Sequence, residues 1–187
     1  GRAYIVMEYV EGELLSHKLK SGPLPLSEVI DVGIQIAEAL EEAHAQAIIH
    51  RDIKSSNLVV TPRGQLKVLD FGLAKITRHS VGQEETTLTE LVKTASGIVM
   101  GTVHYMSPEQ AGGLEVDTRT DLFSLGVVLY EMVAGHVPFQ GETNSDVLVG
   151  ILEREPEPLA SRRPEVPPEL EGIVRQCLEK DRQRRYQ

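Results

Sequence analysis

Residues 50–57 read "HRDIKSSN", which places a histidine, an arginine, an aspartate, a lysine and an asparagine within eight positions. Before them, Val29, Val32, Ile36, Leu40 and Ala43 recur at three- and four-residue spacing, the stripe of an amphipathic helix that ends near residue 46. Ser27 is expected to be its N-cap, with Glu28 in the first turn. After them, the β runs "LVV" (58–60) and "LKVLD" (66–70) are separated by "TPRGQ", which predicts a tight hairpin. The octet therefore sits where a helix leaves the core and a hairpin begins, a position at which polar side chains face a cleft instead of being buried.

Working outward, "AYIVMEYV" (3–10) reads as a strand rich in Val, Ile and Tyr with no partner before it. Both ends of the chain accordingly read as cut. Gly12, Gly22, Pro23 and Pro25 mark turns around a short helical stretch. From Phe71 to about Met106 the sequence is Ser/Thr-rich and aperiodic, as a functional or disordered loop would be. Residues 119–134, "RTDLFSLGVVLYEMVA", are apolar on nearly every face and predict a central buried helix stopped by Gly135. Further helices are expected near 144–154 and 169–180, joined by an irregular "EPEPLASRRPEVPP". The expected class is mainly α (α+β), one domain with a small hairpin at the mouth of its site.

Composition narrows the function. The chain has 187 residues, 41% of them hydrophobic, enough for one core. A formal net charge of -9 argues against a nucleic-acid partner. The single cysteine, Cys177, excludes an intramolecular disulfide and a cysteine-based zinc cluster, and its apolar run makes it a buried thiol. Neither a membrane span nor a signal peptide is read, so the expectation is a cytoplasmic segment, with any membrane anchor of the parent protein lying elsewhere.

The octet is followed by "DFG" (70–72) and then by "GTVHYMSPE" (101–109). Singly these residues have ordinary readings, Asp52 and Asp70 as turn aspartates and His50 as a core histidine. In this order they resemble the serine/threonine protein kinases, in a bacterial style, from the hinge through the large lobe. The resemblance implies a catalytic loop at 50–57 and an activation segment at 70–109. Within them, Asp52 would accept the proton of the attacking hydroxyl, and Lys54 and Thr102 would support it. Asn57 and Asp70 would hold Mg2+, with Mn2+ as its substitute, beside ATP. "VMEYV" resembles the hinge, so Met7, Glu8 and Val10, with Val59, would line the adenine pocket. Arg51 would pair with a phosphate on the segment, Thr94 and Ser96 first among the acceptors and Thr86, Thr87 and Thr89 behind them.

Structural roles implied by the same resemblance are His50 packed on Phe71, Gly72 in the DFG turn, a Glu109–Arg185 ion pair with Arg184 as the competing choice, and Asp121 holding the catalytic-loop backbone. The partners implied are ATP and proteins bearing Ser or Thr, with self-association for autophosphorylation. Small-molecule kinases of the aminoglycoside type share the Asp-to-Asn spacing but usually lack the lysine and the Pro-Glu element. A competing class is a truncated lobe or pseudokinase used as a scaffold, which would be expected to lose Asp52, Asn57 or Asp70. No G-x-G-x-x-G and no V-A-I-K-like strand occurs in the chain, so most of the small lobe is expected to be absent and nucleotide affinity weak.

Overall fold

A computed structural model describes residues 8–70 and 103–187. In chain order these residues form strand β1 (Glu13–Leu14), helix α1 (Leu15–Lys18), α2 (Leu26–Ala45), β2 (Leu58–Val60), β3 (Leu66–Val68), α3 (Pro108–Ala111), α4 (Arg119–Ala134), α5 (Asn144–Glu153), α6 (Leu159–Arg162) and α7 (Pro168–Cys177), with short 3-10 turns between some of them. The architecture is mainly helical, as expected, around one small antiparallel sheet of order β1-β2-β3.

The core is organised by α4. Phe123, Val127, Val128, Met132 and Val133 are fully buried, and the helix packs against α2 on one side and α7 on the other. It stops where Gly135 takes the left-handed conformation (φ 78°) and donates its N–H to the Glu131 carbonyl at 2.8 Å, the conformation that costs a residue without a Cβ least.

Helix α2 buries the stripe Val29, Val32, Ile36, Leu40 and Ala43. Its N-cap is Pro25 and not Ser27: Pro25 is extended (φ -56°, ψ 140°), and its carbonyl accepts the Val29 N–H at 3.0 Å. The fixed proline φ starts the helix without a side-chain cap, leaving Ser27 in the first turn. At the other end Ile48 N–H donates to Ala43 O and Ala47 N–H to His44 O, both at 2.9 Å. This double bond pattern closes the helix with Ala47 left-handed, at φ 57°. The chain is thereby turned straight into residues 50–57.

The hairpin pairs Leu58 with Val68, Val59 with Lys67 and Val60 with Leu66. Gln35 on α2 staples its turn, accepting from the Leu66 N–H at 2.8 Å and donating to the Gly64 carbonyl at 3.1 Å. Strand β1 was not expected: two residues suffice because Glu13 and Leu14 pair with Val60 and Val59, a contact too short to leave periodicity in the sequence. Of the opening strand, Glu8 to Val10 are irregular and residues 3–7 lie outside the described residues. The proline-rich connection is not wholly irregular either, since it holds α6. Arg163 just beyond α6 reaches the carbonyls of Leu24 (2.9 Å) and Val133 (3.2 Å), which fixes that connection on the core. Helix α5 begins with a reciprocal cap between Thr143 and Asp146, and Cys177 is buried at the end of α7 with its thiol pushed up to about 12 by burial.

Candidate active site

The backbone of residues 50–52 is held by a carboxylate from the buried helix. Asp121, in the first turn of α4 and wholly buried, accepts the His50 N–H on Oδ2 (2.9 Å) and the Arg51 N–H on Oδ1 (2.7 Å). His44 Nε2 lies 2.8 Å from Oδ2. Three donors of this kind can stabilise a carboxylate out of water. They also hold Arg51 at φ 68°, a conformation that disfavours side chains. The His50 ring lies 2.9 Å from the Leu69 carbonyl through Nε2 and accepts the Asp52 N–H on Nδ1 at 3.2 Å. That pattern assigns the ring proton to Nε2 and ties the octet to the end of the hairpin.

The side chains of the octet converge on Asp52. Lys54 Nζ donates to Asp52 Oδ2 at 2.7 Å, and Asn57 Nδ2 donates to the same oxygen at 3.1 Å and to the Asp52 carbonyl at 2.9 Å. Because the Asn57 amide nitrogen is directed at Asp52, its Oδ1 is turned to the other side. The hairpin leads to Asp70: Leu69 N–H donates to the Asn57 carbonyl at 2.8 Å, extending the register by one pair, and Asp70 is the next residue in the chain. Asp70 is exposed at φ 61°. Asn57 Oδ1 and the Asp70 carboxylate are hard oxygen donors. Among the described residues there is no cluster of three or more His, Cys, Asp or Glu placed to hold a metal. A cation that takes one or two protein ligands and completes its shell with phosphate and water fits such a set.

Glu109 and Arg185 form a bidentate pair, 2.7 and 2.9 Å, and Arg185 also donates to the carbonyls of Arg119, Glu179 and Lys180. Arg184 instead points outward to Glu179. Burial works against the Glu109 charge, but the hydrogen bonds from Arg185 and Thr120 outweigh it and hold its carboxyl below the usual range. Among the described residues no carboxylate pairs with the Arg51 guanidinium. Val59 is buried in β2, while Glu8 is exposed and Val10 half-buried on the segment before β1. Met7, Phe71, Gly72, Thr94, Ser96 and Thr102 lie outside the described residues, as do Thr86, Thr87 and Thr89.

Sequence reading missed several polar residues. Ser55 Oγ lies 2.9 Å from the Tyr105 hydroxyl, which donates to Glu131 Oε2 at 2.7 Å. Burial raises the Glu131 carboxyl against its two hydroxyl donors, and burial followed by the Glu131 charge raises the Tyr105 phenol. This cluster joins the octet to α4 and left no local sequence signal. Gln110 did leave one: Ser107 and Gln110 stand at capping-box spacing, and both reciprocal bonds are formed.

The protein kinase domain family matches the chain over residues 1–187. The chain belongs to the protein kinase family. It is 44% identical over 185 residues to a probable serine/threonine-protein kinase, CPE1738, of Clostridium perfringens, covering 98% of this chain and 25% of that protein. It is 37% identical to the serine/threonine-protein kinase PrkC of Bacillus subtilis, covering 98% of this chain and 27% of that protein. With the serine/threonine-protein kinase PknA of Mycobacterium tuberculosis the identity is 39%, over 98% of this chain and 40% of that protein. The kinase chain spans about a quarter of the length of the first curated relatives it matches. Members of the family use ATP and a divalent cation on protein substrates.

Proposed function

We propose that the protein carrying this chain is a serine/threonine protein kinase that transfers the γ-phosphate of ATP to Ser and Thr hydroxyls of proteins, and that residues 1–187 supply its hinge and large lobe. The observation that supports this most directly is the Asp52 carboxylate held by both Lys54 and Asn57. Residues 50–57 are then the catalytic loop and 70–109 the activation segment. Asp52 orients the acceptor hydroxyl and takes its proton as the bond to phosphorus forms. Lys54, seated on Asp52 before substrate arrives, would offset the charge of the transferring phosphoryl group. By the family resemblance, Thr102 would support the pair.

Asn57 Oδ1 and the Asp70 carboxylate would hold Mg2+, which supplies charge neutralisation for the phosphates; Mn2+ offers the same coordination. Glu8 and Val10 through their backbones, with Met7 and Val59 packed on the purine, would bind the adenine of ATP. By the family resemblance, Phe71 and Gly72 would serve with His50 as structural residues of the DFG motif, while Asp121 holds the loop and the Glu109–Arg185 pair holds α3. The Arg51 guanidinium is read as the receiver of a phosphate on Thr94 or Ser96, placed there by a second copy in autophosphorylation.

No helix of the described residues is long and apolar enough to cross a membrane, and a reducing, ATP-rich cytoplasm is the setting this reading requires. The test is transfer of labelled γ-phosphate to Ser or Thr of a protein substrate by the full-length protein and its Asp52→Asn variant. The variant should fold like wild type and lose at least about a hundredfold in rate, the low end for a positioned general base. Undiminished transfer by Asp52→Asn would overturn the assignment.

A further inference from the structure

We infer that Gln110 is a positioning residue for Asp52, acting through the peptide unit that joins Arg51 to Asp52. This rests on the reading of Asp52 as the residue that orients the acceptor hydroxyl. Arg51 is left-handed at φ 68°, and each of its two backbone polar groups is held by a side chain from another element. Its N–H is held by Asp121 Oδ1 at 2.7 Å, and its carbonyl accepts Gln110 Nε2 at 2.8 Å.

That carbonyl shares a planar peptide unit with the Asp52 N–H, which donates to His50 Nδ1 at 3.2 Å. Planarity makes the unit rigid, so holding both of its ends fixes where the Asp52 Cα stands, the point from which the Asp52 side chain leaves the backbone. With the carbonyl released, rotation about Arg51 ψ becomes the soft motion, and it carries Asp52 with it.

Gln110 is itself well anchored. Its Oε1 accepts the Ser107 N–H at 3.0 Å, and its own N–H donates to Ser107 Oγ at 3.2 Å. The neighbouring Glu109 is fixed on Arg185. The amide therefore has separate tasks at its two ends: the oxygen caps α3, and the nitrogen reaches across to the loop that carries Asp52. The Gln110 side chain thereby couples α3 to the geometry of Asp52.

The two tasks can be separated by substitution. Gln110→Glu keeps an acceptor for the Ser107 N–H, removes the donor to Arg51 and sets a carboxylate oxygen against a carbonyl oxygen. Gln110→Met removes both bonds. In the full-length protein, amide hydrogen exchange at Asp52 is measured by NMR beside kcat and KM for ATP and protein substrate, with α4 amides reporting integrity of the fold. Gln110→Glu should exchange the Asp52 amide about five to ten times faster and lower kcat by a similar factor, the scale of one net hydrogen bond, with both KM values within about twofold. Gln110→Met should show the same loss together with a lower melting temperature. Asp52 exchange within about twofold of wild type in Gln110→Glu overturns the inference, as does a fall in kcat without faster exchange. Full activity in Asp52→Asn would instead overturn the reading of Asp52, and is distinguishable because exchange reports on the Gln110 contact whether or not phosphate is transferred.

Discussion

Replacing Arg185 by leucine removes the guanidinium that holds the end of the described chain to α3, and the structure sets the size of the effect. The side chain is fully buried, pairs bidentately with Glu109, donates to three carbonyls and lies 5.0 Å over the Phe123 ring. Breaking a buried pair from one side costs about 3–5 kcal/mol because the remaining charge is stranded. For a domain of this size each kcal/mol lowers the melting temperature by about 2–4 °C, so the kinase-domain transition should fall by roughly 6–20 °C.

Glu109 gives the effect a pH signature. Its carboxyl is held below the usual carboxylate value, so the folded state binds fewer protons than the unfolded chain between the two values. The stabilisation is complete above the usual carboxylate range and is lost as pH falls through the depressed value. The gap between wild type and Arg185→Leu should therefore narrow on acidification, and adding Glu109→Leu should restore part of the loss, although the three carbonyls stay unmatched. Calorimetric melting of the full-length proteins at pH 7.5 and at pH 4 would show this. A difference below about 1 kcal/mol at pH 7.5, the level of an exposed pair, would refute the reasoning, as would a gap that does not narrow at low pH.

Two further outcomes follow from the packing around α4. Gly126 faces α7 so closely that an added Cβ would lie 2.6 Å from the Cys177 Cβ; Gly126→Ala should destabilise the domain by about 1–3 kcal/mol in urea titration despite the better helix propensity of alanine. Lys180 is pushed down to about 8 by burial, while it lies 3.8 Å from the Phe139 ring centre and caps the carbonyls of Gly150 and Ile151. The unfolded chain keeps this proton to higher pH, so Lys180 makes stability rise between about pH 8 and the ordinary lysine value of about 10.4. Subtracting the profile of Lys180→Met from that of wild type should leave that rise, and a flat difference would show that the ammonium is not desolvated.

Legibility differed from element to element. Helix α2 was readable because Val29 to Ala43 repeat at helical spacing, and α4 because its apolar run outlasts any strand and ends at Gly135. The α2 cap misled, since a serine two residues into the helix resembles a cap in one dimension; only the extended Pro25 with its carbonyl on Val29 shows where the helix begins. The order of "HRDIKSSN", "DFG" and "SPE" pointed to one chemistry, but it said nothing of Gln110 on Arg51 or of Tyr105 between Ser55 and Glu131.

By itself, the sequence determined the helical class, the one-core size, the family and the residue types that phosphate chemistry requires, because hydrophobic period, turn chemistry and motif order are local properties of a chain. The tertiary structure decided which of two adjacent arginines is buried on Glu109, how Asn57 is paired with Leu69 at the end of the hairpin, and what holds Arg51 in a left-handed backbone. Each of these is a contact between residues from 12 to 76 positions apart; strand pairing fixes the shortest, and the others form only when the packing of α4 against its neighbours has brought the partners within reach.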